Sequence, residues 1–221
     1  MAAGCGGNRS EAAPAHRPPS IEVTPVDHST LCMTRGVLEK GAITDPTTRG
    51  YAMGAGGDAA QLTFTYRGES ENTRELASGE ARRQIGLKLR AQDGCNLVYV
   101  MWRLDPRPML DVSVKFNPGK HTHAECGANG YTKVRPVKKM FVPSFEYGKT
   151  HTLRAEIVGD NLYAWIDNRL YFQGRLPKTA RGISGPAGLR SDNVKFDLVE
   201  LAAPHREREG TPPTCKREPG D

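Results

Sequence analysis

The stretch from His151 to Leu201 constrains the fold most, because apolar and polar residues alternate there in short runs. The apolar positions are Leu153, Ala155 and Ile157 in the first run and Leu162, Ala164 and Ile166 in the second. Turn residues follow each run, at Gly159–Asn161 and at Asp167-Asn168. Side chains of a strand point alternately to the two faces of its sheet. The pattern therefore predicts antiparallel strands that are buried on one face.

The same stretch carries a motif in two parts. The residues of the motif are His151, Thr152, Arg154, Gly159, Asp160, Leu162, Ile166, Asp167 and Asn168, then Gly185, Gly188, Leu189, Arg190, Asp192, Phe196, Asp197 and Val199. This motif resembles the closing strands of concanavalin A-like (laminin-G-like) β-sandwiches. It also resembles the domain of unknown function that is associated with 3-keto-disaccharide hydrolysis. The resemblance implies an all-β fold, an antiparallel jelly-roll sandwich, and does not specify a chemistry.

The segments upstream predict further strands. Gln61–Arg67, Ile85–Gln92 and Leu110–Phe116 alternate, whereas Cys95–Leu104 is apolar on both faces. A strand of the latter kind lies centrally, or its second face is covered by a loop or lines a groove. The phase of the apolar residues shifts within Val194–Leu201, which indicates a β-bulge. The predicted core comprises Leu87, Leu89, Leu97, Val112, Val114, Leu153, Ile157, Ile166, Phe196 and Leu198.

The chain is long enough for one large β domain with tails. We assign residues 1–20 to a disordered leader, 21–203 to the sandwich and 204–221 to a disordered charged tail. Within the sandwich, residues 117–148 form a long excursion that is rich in proline, glycine and basic residues. Loops of that length are usually functional or cover a face.

The formal charge of +6 is concentrated in part between Tyr131 and Thr150. The basic residues of this segment are Lys133, Arg135, Lys138, Lys139 and Lys149, and they are opposed only by Glu146. A basic patch attracts polyanions such as acidic glycans or anionic lipid head groups. The alternative is an ordinary solvated loop, and we do not expect nucleic acid as a partner.

Five cysteines are present, without a Cys-x-x-Cys pair that would indicate a zinc ribbon or a redox motif. Cys95 and Cys126 form a disulfide if the compartment is oxidising and are free thiols otherwise. Near the N-terminus, Ala3-Gly4-Cys5 resembles the end of a bacterial lipobox, which implies lipidation of Cys5 and attachment to the cell envelope. This expectation requires an export signal upstream of Met1, since only four residues precede Cys5.

The sequence around residues 121–126 has residue types that bind transition metals. If the segment is extended, His121, His123 and Glu125 share a face, with Cys126 close behind. Calcium is the other open possibility, because Asp192 and Asn193, or Asp160 and Asn161, carry suitable oxygens. In both cases the alternative is structural: solvated histidines in a surface loop, and Asp-Asn pairs as turn residues. We otherwise expect no cofactor.

A candidate ligand face combines aromatic and charged residues. Tyr163, Trp165 and Asp167 lie opposite the core-facing residues of their strand, and Arg154 and Glu156 point the same way on the preceding strand. We expect Trp102 to form a neighbouring part of this face. Aromatic rings stack on the apolar face of a pyranose while charged groups bond its hydroxyls. The alternative is that residues 117–148 fold over these rings and bury them.

These observations predict a non-catalytic, extracytoplasmic binding module for carbohydrate or another cell-envelope polymer. The first alternative is a hydrolase of the 3-keto-disaccharide type. The chain lacks the Glu-x-Asp-x-Glu triplet that several sandwich glycosidases carry on one strand, so we favour binding over catalysis. The second alternative is an adhesion or scaffold protein that uses an exposed sheet face.

Overall fold

Two antiparallel sheets pack face to face in the computed structural model, which describes residues 18–205 together with Cys215 and Arg217. The predicted all-β sandwich is confirmed. Sheet A has the strand order β1 (Thr24–Pro25), β14 (Val194–Ala203), β5 (Ala59–Glu69), β10 (Thr150–Val158), β11 (Asn161–Ile166) and β12 (Arg169–Arg175). A short strand, β3 (Ala42–Ile43), also pairs with β14.

Sheet B is the second sheet and has seven strands. Its order is β2 (Leu31–Arg35), β4 (Thr47–Ala52), β13 (Gly188–Asp192), β6 (Gln84–Leu89), β7 (Leu97–Arg103), β8 (Met109–Lys115) and β9 (Tyr131–Lys133). One short helix, α1 (His123–Cys126), and two 3-10 turns at His28–Thr30 and Lys178–Gly182 complete the described elements. None of the described helices is long and apolar enough to cross a membrane.

The core fills the space between the sheets, and Phe64 of β5 lies at its aromatic centre. Its ring contacts those of Trp102, Phe145 and Phe196 at centroid distances of 6.1, 5.6 and 6.1 Å. The predicted core is confirmed except for Leu97, which packs in a separate cluster on the outer face of sheet B with Ala91, Tyr99 and Met101. Both faces of β7 are apolar, so alternation alone did not determine which face meets the core.

The register of β14 shifts against β5 between Leu198 and Glu200, where the phase shift predicts a bulge. Leu198 and Leu201 both reach the core, although they are three positions apart and would face opposite sides of a regular strand. The intervening Val199 is 52% exposed. One extra residue thus lets a single strand bury apolar side chains on both sides of the bulge.

The long excursion closes one side of the sandwich instead of forming a free loop. After β9, the backbone amide of Val134 donates to Val112 of sheet B, and that of Val137 donates to Gln173 of sheet A. The carbonyl of Pro143 then accepts a hydrogen bond of 2.8 Å from the indole of Trp102. The segment between Val134 and Phe145 therefore bridges the two sheets and covers the aromatic centre of the core.

Two disulfides cross-link the described residues. Cys95 and Cys126, for which the sequence leaves a disulfide or free thiols open, are joined at a Cα separation of 5.9 Å. The second joins Cys32 of β2 to Cys215, at a Cα separation of 5.4 Å, and fastens this point of the C-terminal segment to sheet B. The sequence does not predict this bond, because the pattern around Cys215 carries no strand or core signal.

Gly185 provides a test of the packing between the loop before β13 and sheet B. A Cβ at this position would lie 2.3 Å from the backbone carbon of Ala91, whereas a Cβ at Gly182 meets nothing within 4 Å. We expect Gly185→Ala to lower the free energy of unfolding by about 1–3 kcal/mol through overpacking. The control Gly182→Ala should leave it within about 1 kcal/mol. Urea unfolding of both variants measures the difference, and equal stabilities would contradict the close approach.

Candidate functional site

The outer face of sheet B forms the floor of a cleft with a volume of about 670 Å³. We call it the sheet B cleft. Strands β4, β13, β6, β7 and β8 contribute its floor. The loop before β6 forms one rim, and the segment with α1 and β9 forms the other. The residues that matter below are Arg49, Tyr51, Gln84, Lys88, Tyr99, Asp111, Arg190 and Asp192 on the floor, Arg74, Glu75 and Arg82 on one rim, and His123, Gly127, Tyr131 and Lys133 on the other.

Alternation along the strands delivers these side chains to the cleft. In β7, Val98 and Val100 face the core, so Tyr99 and Met101 face the cleft. In β6, Leu87 and Leu89 face the core and place Lys88 outside. The apolar second face of β7 therefore lines a groove, which is one of the two arrangements that the sequence predicts.

A buried carboxylate organises the floor. Asp192 accepts hydrogen bonds from Arg49 at 2.9 Å, from Arg190 at 2.9 Å and from the amide of Gln84 at 2.6 Å. Burial by itself raises the pKa of this carboxyl, but Arg190 and Arg49 outweigh that effect and hold the pKa well below its usual range. Asp192 is therefore ionised, and its oxygens are engaged by two cations and an amide.

A second carboxylate, Asp111 of β8, is surrounded by cations in the same way. It accepts from Arg103 at 3.0 Å and from Lys133, and Arg82 lies at 3.9 Å. Burial raises its pKa, while Lys133 and Arg103 lower it, and the net pKa lies below the ordinary value. The floor thus holds both of its buried carboxylates as anions inside a positively charged surrounding.

Three tyrosines line the cleft at different depths. The Arg190 guanidinium lies 4.8 Å from the ring centroid of Tyr99, and Lys88 Nζ lies 4.0 Å from that of Tyr51. Burial, aided by Tyr131, raises the pKa of Tyr99 to about 12. Tyr131 stacks near Tyr99 at 6.2 Å and is 38% exposed. Tyr131 is therefore the most exposed of the three tyrosines.

One rim is fixed by Asn193, which directly follows the floor residue Asp192. Its side chain accepts a hydrogen bond from the Arg74 amide at 2.8 Å and donates to the carbonyls of Arg74 and Arg82, at 2.8 and 3.1 Å. The residue has a φ of 56°, a left-handed conformation that asparagine tolerates better than most residues. Asn193 forms the bend between β13 and β14, in line with the turn alternative that the sequence left open, and this bend also holds the rim.

The other rim contains α1 and is fixed by the Cys95–Cys126 disulfide. At the N-terminus of α1, the carboxylate of Glu125 accepts hydrogen bonds from the backbone amides of His121 and Thr122, at 2.9 and 2.7 Å. The hydrogen bonds from Thr122 and His121 lower the pKa of Glu125 to about 2. This reciprocal cap and the cross-link hold the rim residues His123 and Gly127 against β7 and β8.

The predicted metal ligands are not brought together. His121 Nδ1 lies 3.0 Å from Asp93, His123 Nδ1 lies 3.3 Å from Lys115 Nζ, and Asp192 lies between arginines on the cleft floor. The sulfur of Cys126 belongs to a disulfide. Within residues 18–205 and the two further described positions, no group of three or more His, Cys, Asp or Glu residues could hold a metal ion. The calcium candidate Asp160 instead pairs with Arg181 and Arg175.

The predicted ligand face lies mainly on the outer side of sheet A and is covered. Glu156 accepts from the amides of Ser20 and Ile21, at 2.8 and 3.0 Å, and Arg154 donates to the Ile21 carbonyl. Tyr163 and Trp165 stack at 6.1 Å and are buried. The segment at Ser20 and Ile21 therefore occupies this face, where the sequence predicts an open groove or a cover formed by residues 117–148.

Two further residues of the predicted face do not share it. Trp102 belongs to sheet B, points into the core and contacts Phe145 at 5.1 Å, so its placement beside Trp165 is wrong. The reason is again that β7 is apolar on both faces. Asp167 lies in the turn after β11, where it accepts from the Thr152 amide at 2.8 Å and lies 2.9 Å from His151 Nδ1. Cys5, the predicted lipidation site, lies outside the described residues.

No sequence pattern groups the residues of the sheet B cleft, although three separate features of the sequence belong to this site. The second apolar face of β7 contains Tyr99, the polar positions of β6 include Lys88, and the closing motif contains Arg190 and Asp192. In the sequence, the closing motif indicates only the fold. In the structure, two of its charged residues, Arg190 and Asp192, belong to the cleft floor. Only the pairing of β13 with β6 and β4 brings these signals together.

Trp165→Ala tests whether the outer face of sheet A is covered. Trp165 is 1% exposed, so its truncation should leave a cavity and lower the free energy of unfolding by about 3–5 kcal/mol. The control Phe141→Ala, at a residue that is 90% exposed, should change it by less than about 0.5 kcal/mol. Chemical denaturation of both variants gives the comparison. A Trp165 variant as stable as the control would mean that this face is open.

Asp192→Asn tests the charge balance of the floor. The amide cannot neutralise Arg49 and Arg190, so we expect a loss of about 3–5 kcal/mol in the free energy of unfolding. The control Asp197→Asn removes an exposed ion pair with Arg67 and should cost less than about 1 kcal/mol. Thermal and urea unfolding at neutral pH measure both, and similar losses would show that the floor tolerates unpaired arginines.

Comparison with known proteins identifies the fold. No family model and no curated sequence matches the chain. The carbohydrate-binding module CBM66 from Bacillus subtilis superposes with a TM-score of 0.54 at 12% identity, over 79% of this chain and 95% of that one. A tetrameric galectin from Cinachyrella sp. gives a TM-score of 0.42 at 18% identity, over 66% and 91% of the two chains. A glycosyl hydrolase-like protein from Parabacteroides distasonis gives 0.45 at 10%, over 80% and 89%. The likeness to CBM66 shows that the chain shares the antiparallel β-sandwich fold of that module.

Proposed function

We propose that the protein is a carbohydrate-binding module and that its ligand lies in the sheet B cleft. The observation that carries the proposal is the exposed ring of Tyr131 at the side of a cleft with a floor of fixed charged groups. A ring of this kind stacks on the apolar face of a sugar, and the charged groups bond its hydroxyls. The volume of about 670 Å³ is typical of clefts that enclose small ligands.

The rigidity of the cleft supports a binding role. The floor lies on paired strands, and the side chains of Arg49, Arg190 and Gln84 are held by one carboxylate, Asp192. One rim is held by Asn193 and the other by the Cys95–Cys126 disulfide. A site that is ordered before it meets its ligand loses less conformational entropy on binding.

The ionisation of the floor supports binding over catalysis. Hydrolysis of a glycoside requires a carboxylic acid with a raised pKa that protonates the leaving group. Asp111 and Asp192 have lowered pKa values and donate no proton near neutral pH. The β-sandwich fold is shared with the carbohydrate-binding module CBM66, which agrees with this proposal without deciding the ligand.

We also propose an extracytoplasmic location. Two disulfides, Cys32–Cys215 and Cys95–Cys126, are the support, because such cross-links persist in oxidising compartments. Attachment to a bacterial envelope through a lipid on Cys5 remains part of the proposal. Mass spectrometry of the protein purified from membranes of its native host tests it, since lipidation changes the mass of the peptide that begins at Cys5.

Tyr131→Ala tests the proposed site. The protein should bind members of an array of neutral and acidic oligosaccharides, and the variant should bind the best of them more weakly by about 1–2 kcal/mol in calorimetry. The control Tyr147→Ala removes a tyrosine that is 73% exposed and lies outside the cleft. It should bind as the wild type does. The absence of any saccharide ligand, or equal affinities for all three proteins, would refute the proposed function.

A further inference from the structure

The charges of the sheet B cleft define the class of saccharide more narrowly. Resting on the proposed carbohydrate site, we propose that its ligand is an acidic glycan, whose carboxylate or sulfate groups are bound by Arg74 and Arg82 on one rim and by Lys133 on the other.

Cations outnumber anions among the residues that line the cleft. Seven lysine and arginine residues face three carboxylates, those of Glu75, Asp111 and Asp192. The cations therefore exceed the carboxylates by four. Each of the two buried carboxylates, Asp111 and Asp192, is already shared by more than one cation. An anionic saccharide would neutralise part of this excess among the described lining residues, whereas a neutral one would not.

Arg82 marks a place where positive charge is crowded. Its Nη2 pairs with Glu80 at the surface and its Nη1 lies 3.9 Å from Asp111, while its buried Nε has no hydrogen-bond partner in the part of the chain that the structure describes. Burial and the nearby guanidinium of Arg103 lower the pKa of Arg82. An anionic group bound beside the guanidinium would relieve this repulsion.

Arg74 stands on the same rim with its backbone fixed at both the amide and the carbonyl by Asn193. Its side chain is exposed, and none of the described carboxylates forms an ion pair with it. Guanidinium groups present paired N–H donors that match the oxygens of carboxylates and sulfates. Arg74 is therefore positioned to meet an anionic substituent of a ligand that enters the cleft.

The arrangement of rings favours a glycan over a nucleic acid. Proteins that bind single strands stack successive bases on a series of open aromatic rings. Here a cation lies over each of the three tyrosine rings, Arg190 over Tyr99, Lys88 over Tyr51 and Lys115 over Tyr131 at 5.3 Å. Tyr131 is the most exposed of the three, at 38%. One exposed ring with cations on both rims fits a saccharide in which one sugar unit stacks on the ring and neighbouring sugar units carry anionic groups.

The experiment uses pairs of ligands that share one saccharide backbone and differ in whether their anionic groups are present or masked. Calorimetry would compare an oligogalacturonate with its methyl ester, and a sulfated carrageenan oligosaccharide with its desulfated form. We expect the acidic member of one pair to bind at least ten-fold more tightly in 50 mM salt, about the effect of one charge-assisted hydrogen bond. Preference within the first pair identifies carboxylates as the anionic groups, and preference within the second identifies sulfates.

Two double variants locate the effect. Arg74→Gln with Lys133→Gln removes charges at the cleft, and Lys138→Gln with Lys139→Gln removes the same number from the exposed basic segment outside it. The first should lower affinity for the preferred acidic ligand at least ten-fold and should lower affinity for its neutral partner by a clearly smaller factor. The second should leave both affinities within two-fold. Circular dichroism and melting temperature show whether each variant is folded.

The outcomes separate the inference from the proposed function. If the neutral and acidic members bind equally, the carbohydrate site stands and the acidic-glycan inference fails. If no saccharide in either pair or on the array binds, the proposed function fails as well. If a single-stranded oligonucleotide binds as tightly as the acidic glycan, or the Lys138 and Lys139 variant loses as much affinity as the cleft variant, the inference is overturned in favour of general attraction of polyanions.

Discussion

The structure depends on one strand that is buried on both of its faces. Strand β7 turns Val98, Val100 and Trp102 towards sheet A and turns Leu97, Tyr99 and Met101 the other way. The first set forms the core, and the second supports the floor of the cleft. The rim with α1 is attached beside the start of this strand through Cys95, and the segment that closes the sandwich is attached near its end through Trp102. Core, cleft and closing segment therefore share one element.

The fold was predictable because its determinants are local. Alternation at His151–Leu201 and at Gln61–Arg67 predicts strands, and the phase shift near Leu198 predicts the bulge. These signals arise within a few residues, where the geometry of the strand dictates which side chains are buried. The failure at Trp102 and Leu97 has the same origin, because a strand without alternation contains no information about which face meets the partner sheet.

The site was less predictable because its residues come from distant parts of the chain. Arg49, Gln84 and Asp192 meet only after β4, β13 and β6 have paired, across more than a hundred positions of sequence for Gln84 and Asp192. Their types also suggest surface residues when read singly, since arginine and aspartate are seldom buried without partners. The cover on sheet A escaped prediction for a related reason: Ser20 and Ile21 carry no pattern that indicates where they bind.

The Cys32–Cys215 disulfide has a mechanical consequence. The bond connects two cysteines that are separated by 183 positions, and it encloses strands β3 to β14 within one covalent ring. Tension applied to the chain before Cys32 and after Cys215 would pass through the sulfur atoms and bypass the ring. Strand β1 and the Ser20–Ile21 contact precede the bond and would bear the load first. The sheet B cleft lies inside the ring, so its shape would be insulated from a pulling force for as long as the disulfide is oxidised.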